Sequence, residues 1–233
     1  IYMTTTMNRL PVATWNPLGV NYAPASAALP TVPADGWAKA ETLSPALPAG
    51  VTAPAEADFG DFAASGMGAE TDTWLAENAN LVNHLAVSGT ADAPIVFENT
   101  LDAAHPHALT YLTIDAAEGS NLTVVQVVRG DAENGVSASL TRIRAAENAH
   151  VTLVQVQLLG NRARRWNAVA IEQGKSARVE QVRIELGGCV VACGARTLLN
   201  HNKCEYDLDA VYFGHRNDVL DFNDVSVHTG RDT

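Results

Sequence analysis

The sequence predicts an all-β chain that folds as a flattened parallel β-helix with two strands in each turn. A strand pattern recurs across residues 122–228, and its markers Gln126, Gln155 and Gln181 stand 29 and 26 residues apart. A second family of apolar positions follows at steps of 27 or 28 residues: Ile143, Ile171, Leu198 and Val225. A fixed period in this range is typical of stacked repeats, in which each unit covers the apolar face of its neighbour.

The alternation of side chains within each repeat is the second observation. Successive side chains of a strand point to opposite faces, so one apolar set is expected to line the interior. The positions predicted to point inward are Val154, Val156, Leu158, Val182, Ile184, Leu186, Leu208, Ala210 and Tyr212. The positions predicted to face solvent are Gln155, Gln157, Gln181, Arg183, Asp207 and Asp209.

Composition divides the chain into three segments. Residues 1–70 form a Pro-rich amino-terminal arm, because closely spaced prolines prevent long helices and central strands. Residues 71–107 are predicted to hold a helix and the first strand. Residues 108–233 are predicted to be the β-helix core, which ends without a cap. We therefore expect that the chain is truncated at its carboxyl end, or that a partner covers this end. Two alternatives stay open for the arm: it docks through Trp15, Leu18, Val20, Tyr22 and Trp37, or it is a poorly ordered tail.

The helix is predicted over residues 72–85, where apolar side chains recur at three- and four-residue steps. Thr71 or Asp72 is the predicted cap. A short strand is predicted after Pro94.

Charge and cysteine content exclude several classes of function. The net charge of −11 argues against a nucleic-acid or anionic-membrane surface, since both need clustered Lys and Arg. No apolar run reaches the length of a membrane span, and no secretory leader is present. Three cysteines are too few for a disulfide framework. A cytoplasmic location is the resulting expectation.

A soft-ligand cluster is one candidate site. Cys189, Cys193 and Cys204, with His201 between them, have the ligand chemistry of a zinc, iron or iron–sulfur site. However, Cys189 and Cys193 would lie about 13 Å apart along an extended strand, which is too far to chelate one metal without a bend. The alternative is that they are small core residues.

A carboxylate cluster favours a different function. Five aspartates lie close together near the carboxyl end, as in β-helix enzymes that act on acidic polysaccharides. The alternative is that these carboxylates keep a sheet surface soluble. No nucleophile elbow, phosphate loop or His-Glu-x-x-His motif accompanies them. The five are Asp207, Asp209, Asp218, Asp221 and Asp224.

Several segments together resemble a known family. They are residues 7–12 and 14–21 near the amino terminus, then 186–188, 196–199, 208–214, 220–223 and 227–230. Their order and spacing resemble the SufB/SufD family of iron–sulfur cluster assembly proteins, and the amino-terminal segments are most like SufD.

This resemblance implies a right-handed parallel β-helix that is a scaffold subunit of a SufBCD complex. SufB-like and SufC-like proteins would be its partners, and the SufC-like ATPase, not this chain, would be the enzyme. No cofactor is expected in this chain alone; an iron–sulfur cluster would form only in the assembled complex. Family members continue beyond His228, and their implicated Cys and His residues lie in that later part. Cys189, Cys193, His201, Cys204 and His228 are therefore weak metal-ligand candidates.

Two alternatives to the scaffold remain open on the sequence. One is the carbohydrate-active β-helix enzyme. The other is a self-associating structural module that forms a homodimer through exposed terminal strands.

Overall fold

The computed structural model describes residues 7–8, 35–38, 40–42, 46–215 and 217–233. Most of the arm, including Trp15, Leu18, Val20 and Tyr22, lies outside the described residues, and so does most of the segment most like SufD. Trp37 is described, and its ring lies edge-on to the His107 ring with centroids 6.4 Å apart. The elements are β1 (Ala40–Thr42), β2 (Val51–Thr52), α1 (Ala69–Asn78), β3 (Leu81–Val87), β4 (Ile95–Leu101), β5 (His107–Ala116), β6 (Asn121–Gly130), β7 (Val136–Ala145), β8 (His150–Leu159), β9 (Arg164–Gln173), β10 (Arg178–Glu185), β11 (Val190–Leu199), β12 (Glu205–Tyr212) and β13 (Val219–His228).

The strands form a β-solenoid of about five turns, which confirms the predicted all-β parallel β-helix. One sheet has the order β1-β4-β6-β8-β10-β12, and the other has the order β13-β11-β9-β7-β5-β3-β2. From β3 onward each strand pairs in parallel with the strand two places later in the chain. The stack therefore begins at Leu81, upstream of the core boundary predicted at residue 108.

The repeat period is confirmed, but the strand register differs from the predicted one. Gln126 pairs with Gln155 as predicted. Gln155 then pairs with Arg183, and Gln181 pairs with Leu153, so the true step here is two residues longer. The Gln181 amide still donates to Gln155 Oε1 at 3.0 Å, because a long side chain reaches a diagonal neighbour in the sheet.

The predicted inward face was wrong for β8 and β10. Gln155, Gln157, Gln181 and Arg183 are buried between the sheets with 2% exposure or less. Polar side chains are buried here because they hydrogen-bond to other side chains or to the backbone, which offsets the cost of removing them from water. Leu208, Ala210 and Tyr212 do share the inward register, being paired with Gln181, Arg183 and Glu185. The apolar residues that instead point away from the interior are Val154, Val156, Leu158, Val182, Ile184 and Leu186.

Two apolar clusters occupy the sides of the interior. The larger one includes Leu122, Val124, Ile143 and Val151 near the strand ends. The smaller one lies at the opposite side and includes Leu101, Val128 and Leu159. The polar side chains therefore lie in a lane between two apolar walls.

The outer face of the seven-stranded sheet is covered by α1 and the segment before it. Trp166 of β9 is fully buried there among Met67, Leu75 and neighbouring apolar residues. The covering chain comes very close to β11, since a Cβ added at Gly194 would lie 2.4 Å from the Met67 nitrogen. Only glycine allows this approach.

The helix prediction was correct only in its first half. The helix ends at Asn78, and residues 81–87 form β3 instead. These residues pair with β5 as a strand instead of continuing the helix. Their sequence permits this because Leu81, Leu85 and Val87 also fit a two-residue alternation. The cap was also wrong: Gly68 is the cap residue and makes no side-chain cap bond. Asp72 is buried and instead accepts hydrogen bonds from the Ser65 nitrogen and hydroxyl.

Candidate functional site

A hydrogen-bonded lane of amide side chains runs through the interior of the solenoid. Gln155 lies at its centre and donates to Gln126 Oε1 at 2.9 Å and to Asn167 Oδ1 at 3.0 Å. Its own Oε1 accepts from Asn167 and from Gln181. Tyr206 extends the chain by donating to Gln181 Oε1 at 2.8 Å. Successive turns are thus connected by side-chain amides as well as by the backbone ladders.

Charged groups join this lane towards the later turns. Arg183 makes a two-pronged ion pair with Asp224, with distances of 2.9 and 2.8 Å. Glu185 is 1% exposed, and its Oε1 accepts from the Cys193 thiol at 3.4 Å. Arg165 is 5% exposed and donates to the Ser137 hydroxyl at 2.9 Å. A carboxyl, a thiol and two guanidinium groups therefore share one buried region.

Burial controls the protonation of this region. Desolvation raises the pKa of the Glu185 carboxyl, against the attraction of Arg165 and Arg183. Desolvation also raises the pKa of the Cys193 thiol well above its ordinary value, and the Glu185 charge adds to this. A protonated thiol is a weak nucleophile and a weak metal ligand. The lane is therefore suited to hydrogen bonding rather than to thiolate chemistry.

Replacing Glu185 with glutamine is expected to stabilise the protein at neutral pH. The folded-state pKa of Glu185 is raised, so its ionisation costs more in the folded than in the unfolded chain. The wild-type protein loses stability as the pH rises above about 4.5, the ordinary value for this group, through the raised value. The advantage of Glu185→Gln should therefore grow with pH over this window and be smallest below it.

Urea unfolding followed at a series of pH values measures this effect. Glu180→Gln is the control, because Glu180 belongs to the same strand but points outward to Arg178. Stability curves for wild type and Glu185→Gln that run parallel across the window would contradict the buried-carboxyl interpretation.

Residues 99–233 match the family model described as "SUF system FeS cluster assembly, SufBD core domain". This match covers more than half of the chain and includes β5 to β13. The chain belongs to the SufBD family. No curated protein matches it significantly.

The SufBD core domain contains the whole polar lane, since every residue of the lane lies between Gln126 and Asp224. This membership supports a role in iron–sulfur cluster assembly by the SUF system. Among the described residues, no helix is both long and apolar enough to span a membrane.

The predicted metal-ligand candidates are spread along the last turns. Cys189 precedes β11, and its thiol donates to the Ala163 carbonyl at 3.3 Å, whereas Cys193 faces the polar lane. Cys204 is buried, and its thiol lies 2.9 Å from the carbonyl oxygen of His201, whose side chain is exposed. His228 is exposed at the end of β13 near Thr233. Within the described part of the chain, no three His, Cys, Asp or Glu side chains are placed to hold a metal ion. A ligand role for any of the five stays a prediction.

The predicted carboxylate cluster is divided by the fold. Asp207 points outward and pairs with Arg178 at 3.0 Å, whereas Asp224 faces inward to Arg183. Asp218 accepts a hydrogen bond from the His215 backbone. Of the remaining two aspartates, Asp209 is exposed on β12 and Asp221 is half-buried on β13. The five carboxylates therefore do not converge on one groove.

The residues of the polar lane were missed by the sequence interpretation. Gln155, Gln181 and Arg183 were assigned to the solvent face because polar residues are usually exposed. Their alternating partners Val154, Val156, Val182 and Ile184 gave no signal, because these side chains suit an apolar exterior contact as well as a core. Alternation alone could not separate these two possibilities.

Proposed function

We propose that this chain is a non-catalytic scaffold subunit of a SUF-type iron–sulfur cluster assembly complex, most like SufD. SufB-like and SufC-like proteins are its proposed partners, and the cytoplasm is its proposed location. The cluster is cargo of the assembled complex, and this chain holds no cofactor of its own. The observation that carries the proposal is the SufBD core match, which spans the stacked turns with their buried polar lane.

An apolar outer surface supports the scaffold role. Val154, Val156, Val182 and Ile184 point outward on neighbouring turns of the six-stranded sheet. Leu158, Leu186 and Phe213 extend this surface, with exposed fractions of 46%, 43% and 65%. Among the described residues, no segment lies over it as α1 does over the other sheet. Continuous exposed apolar surfaces of this kind mark protein–protein contacts.

Anaerobic co-purification of the tagged full-length gene product from its own cells tests the proposal. We expect a SufC-like ATPase and a SufB-like protein in the eluate, identified by mass spectrometry, together with iron and sulfide in the complex. Recovery of the tagged protein without either partner under gentle lysis would refute the scaffold assignment.

The apolar outer surface can be tested in the same experiment. Leu186→Asp should reduce partner recovery if a partner covers this sheet, since it places a charge in a dry contact. Leu47→Asp is the matched control, because Leu47 is similarly exposed, at 40%, and lies outside the solenoid turns. Equal recovery of partners with both variants would place the contact elsewhere without affecting the scaffold assignment itself.

A further inference from the structure

A small cavity of about 230 Å³ opens into the polar lane at the first turns of the solenoid. Its walls come from both sheets, and they include Asn83, Asn99, Thr110, Gln126, Ser139 and Arg165. β2 pairs only with Ala86 and Val87 of β3, away from the lining residues Leu81 and Asn83. The cavity therefore lies at the end of the stack that is formed by the first turns.

Arg165 is a buried cation that forms no ion pair with the described residues. It is 5% exposed, and its hydrogen bond to Ser137 uses only one of its five donors. Its Nε atom has no hydrogen-bond partner among the described residues. In the same part of the chain, no carboxylate oxygen lies within 4.0 Å of its guanidinium. A buried charge in this state is costly unless a further group compensates it.

Two carboxylates lie near Arg165 or its cavity, and neither forms an ion pair with Arg165. Glu185 attracts Arg165 from beyond ion-pair distance; its Oε1 accepts from the Cys193 thiol, its Oε2 makes no hydrogen bond to the described residues, and burial raises the pKa of its carboxyl. Glu98 lines the cavity and forms an ion pair with Arg129. An anion bound in the cavity would therefore make the direct contact to the Arg165 guanidinium that neither carboxylate makes.

Gln126 supplies a second free donor to the same cavity. Its Oε1 accepts from the Thr141 hydroxyl at 3.2 Å and from Gln155 Nε2 at 2.9 Å, which fixes the orientation of its amide. Its Nε2 group makes no hydrogen bond to the described residues, and Gln126 is one of the residues that line the cavity. A guanidinium and an amide N–H group that converge on one space form a donor set for oxygen anions.

We propose that this cavity binds a small oxygen-bearing anion, inorganic or carboxylate, through Arg165 and Gln126. The volume is below the roughly 300–1,000 Å³ of sites for drug-sized ligands, so an anion of a few heavy atoms fits best. The bound anion neutralises Arg165 and extends the amide lane at the first turns of the solenoid. This site goes beyond the scaffold role and does not depend on it.

Isothermal titration calorimetry of the full chain tests the site, with sodium sulfate and sodium acetate as separate probes. In a reference titration, sodium chloride replaces the probe salt at the same ionic strength, so that the heat from general salt effects can be subtracted. We expect saturable heat with one or both probes, and the probe that binds identifies the inorganic or the carboxylate class. Arg165→Met should weaken binding about tenfold or more, since hydrogen bonds to charged groups are the strong ones. Gln126→Leu should weaken it about fivefold.

Arg164→Gln is the matched control, because Arg164 is the exposed neighbour on the same strand and points away from the lane. Its affinity should equal that of the wild type. In anion-free buffer Arg165→Met should unfold at the same or a higher urea concentration than wild type, because it removes an unpaired buried charge. If Arg165→Met does not fold, Gln126→Leu provides the test. Absence of saturable binding by either probe, or equal binding by wild type and the folded lane variants, would overturn the proposal.

Discussion

Replacing Trp166 with alanine is expected to lower the free energy of unfolding by about 3–5 kcal/mol. Trp166 is fully buried on the outer face of β9, where it packs with Met67, Leu75 and Trp74. Its indole nitrogen makes no hydrogen bond among the described residues, so the loss comes from packing alone. The cavity left behind lies directly under α1, and the close backbone contact at Gly194 prevents the cover from collapsing into it.

Urea unfolding followed by circular dichroism measures this loss. Trp37→Ala is the matched control, because Trp37 is only partly buried at the edge of the same cluster and should cost clearly less. Limited proteolysis should also show faster cleavage within residues 59–78 of Trp166→Ala. Equal stability of the two tryptophan variants would show that α1 does not seal the sheet as the packing indicates.

Replacing Asp224 with alanine is expected to destabilise the protein by about 3 kcal/mol. The variant leaves Arg183 buried at 2% exposure without its two-pronged partner. Phe222 lies 4.9 Å from the guanidinium and cannot replace the lost negative charge. We place the loss at the lower end of the range for broken buried pairs, because the Asp224 side chain remains 32% exposed.

A double substitution separates the cost of an orphaned charge from the value of the pair. Arg183→Met combined with Asp224→Leu should recover most of the stability lost in Asp224→Ala, since apolar residues of similar volume often replace buried pairs at little cost. Asp207→Ala is the control for an exposed pair, with Arg178, and should cost less than about 1 kcal/mol. A double variant as unstable as Asp224→Ala would show that the loss arises from packing of β13 and not from charge.

The sequence predicted the repeat but not which face of each strand is buried. Gln126 and Gln155 do lie on adjoining turns, because repeated strands stack on one another at a fixed period, whichever face of the strand is buried. The inside and outside of β8 and β10 were exchanged, since Val154 and Gln155 alternate in either case. The opposite sheet determines which face is buried. Asn167 of β9 hydrogen-bonds to Gln155 across the interior, and Val169 packs in the larger apolar cluster.

The helix shows the same limit at a smaller scale. Residues 69–78 have helical spacing and form a helix, whereas residues 81–87 have a spacing that also suits a strand. The local propensity of residues 81–87 does not distinguish helix from strand, and their backbone pairing with β5 makes them a strand. The cap could not be predicted either, because Asp72 is engaged by Ser65 in a tertiary contact.

The amino-acid sequence by itself determined the period of the coil, its two strands per turn and the resemblance to the SufB/SufD family. The tertiary structure alone decided that Gln155, Arg183 and Glu185 meet inside the coil and that the valines of β8 and β10 lie outside. The physical reason is that alternation assigns each side chain to one of two faces, while the free energy of each face depends on the strands opposite it. Buried amides and charges are stable only where those strands supply hydrogen-bond partners.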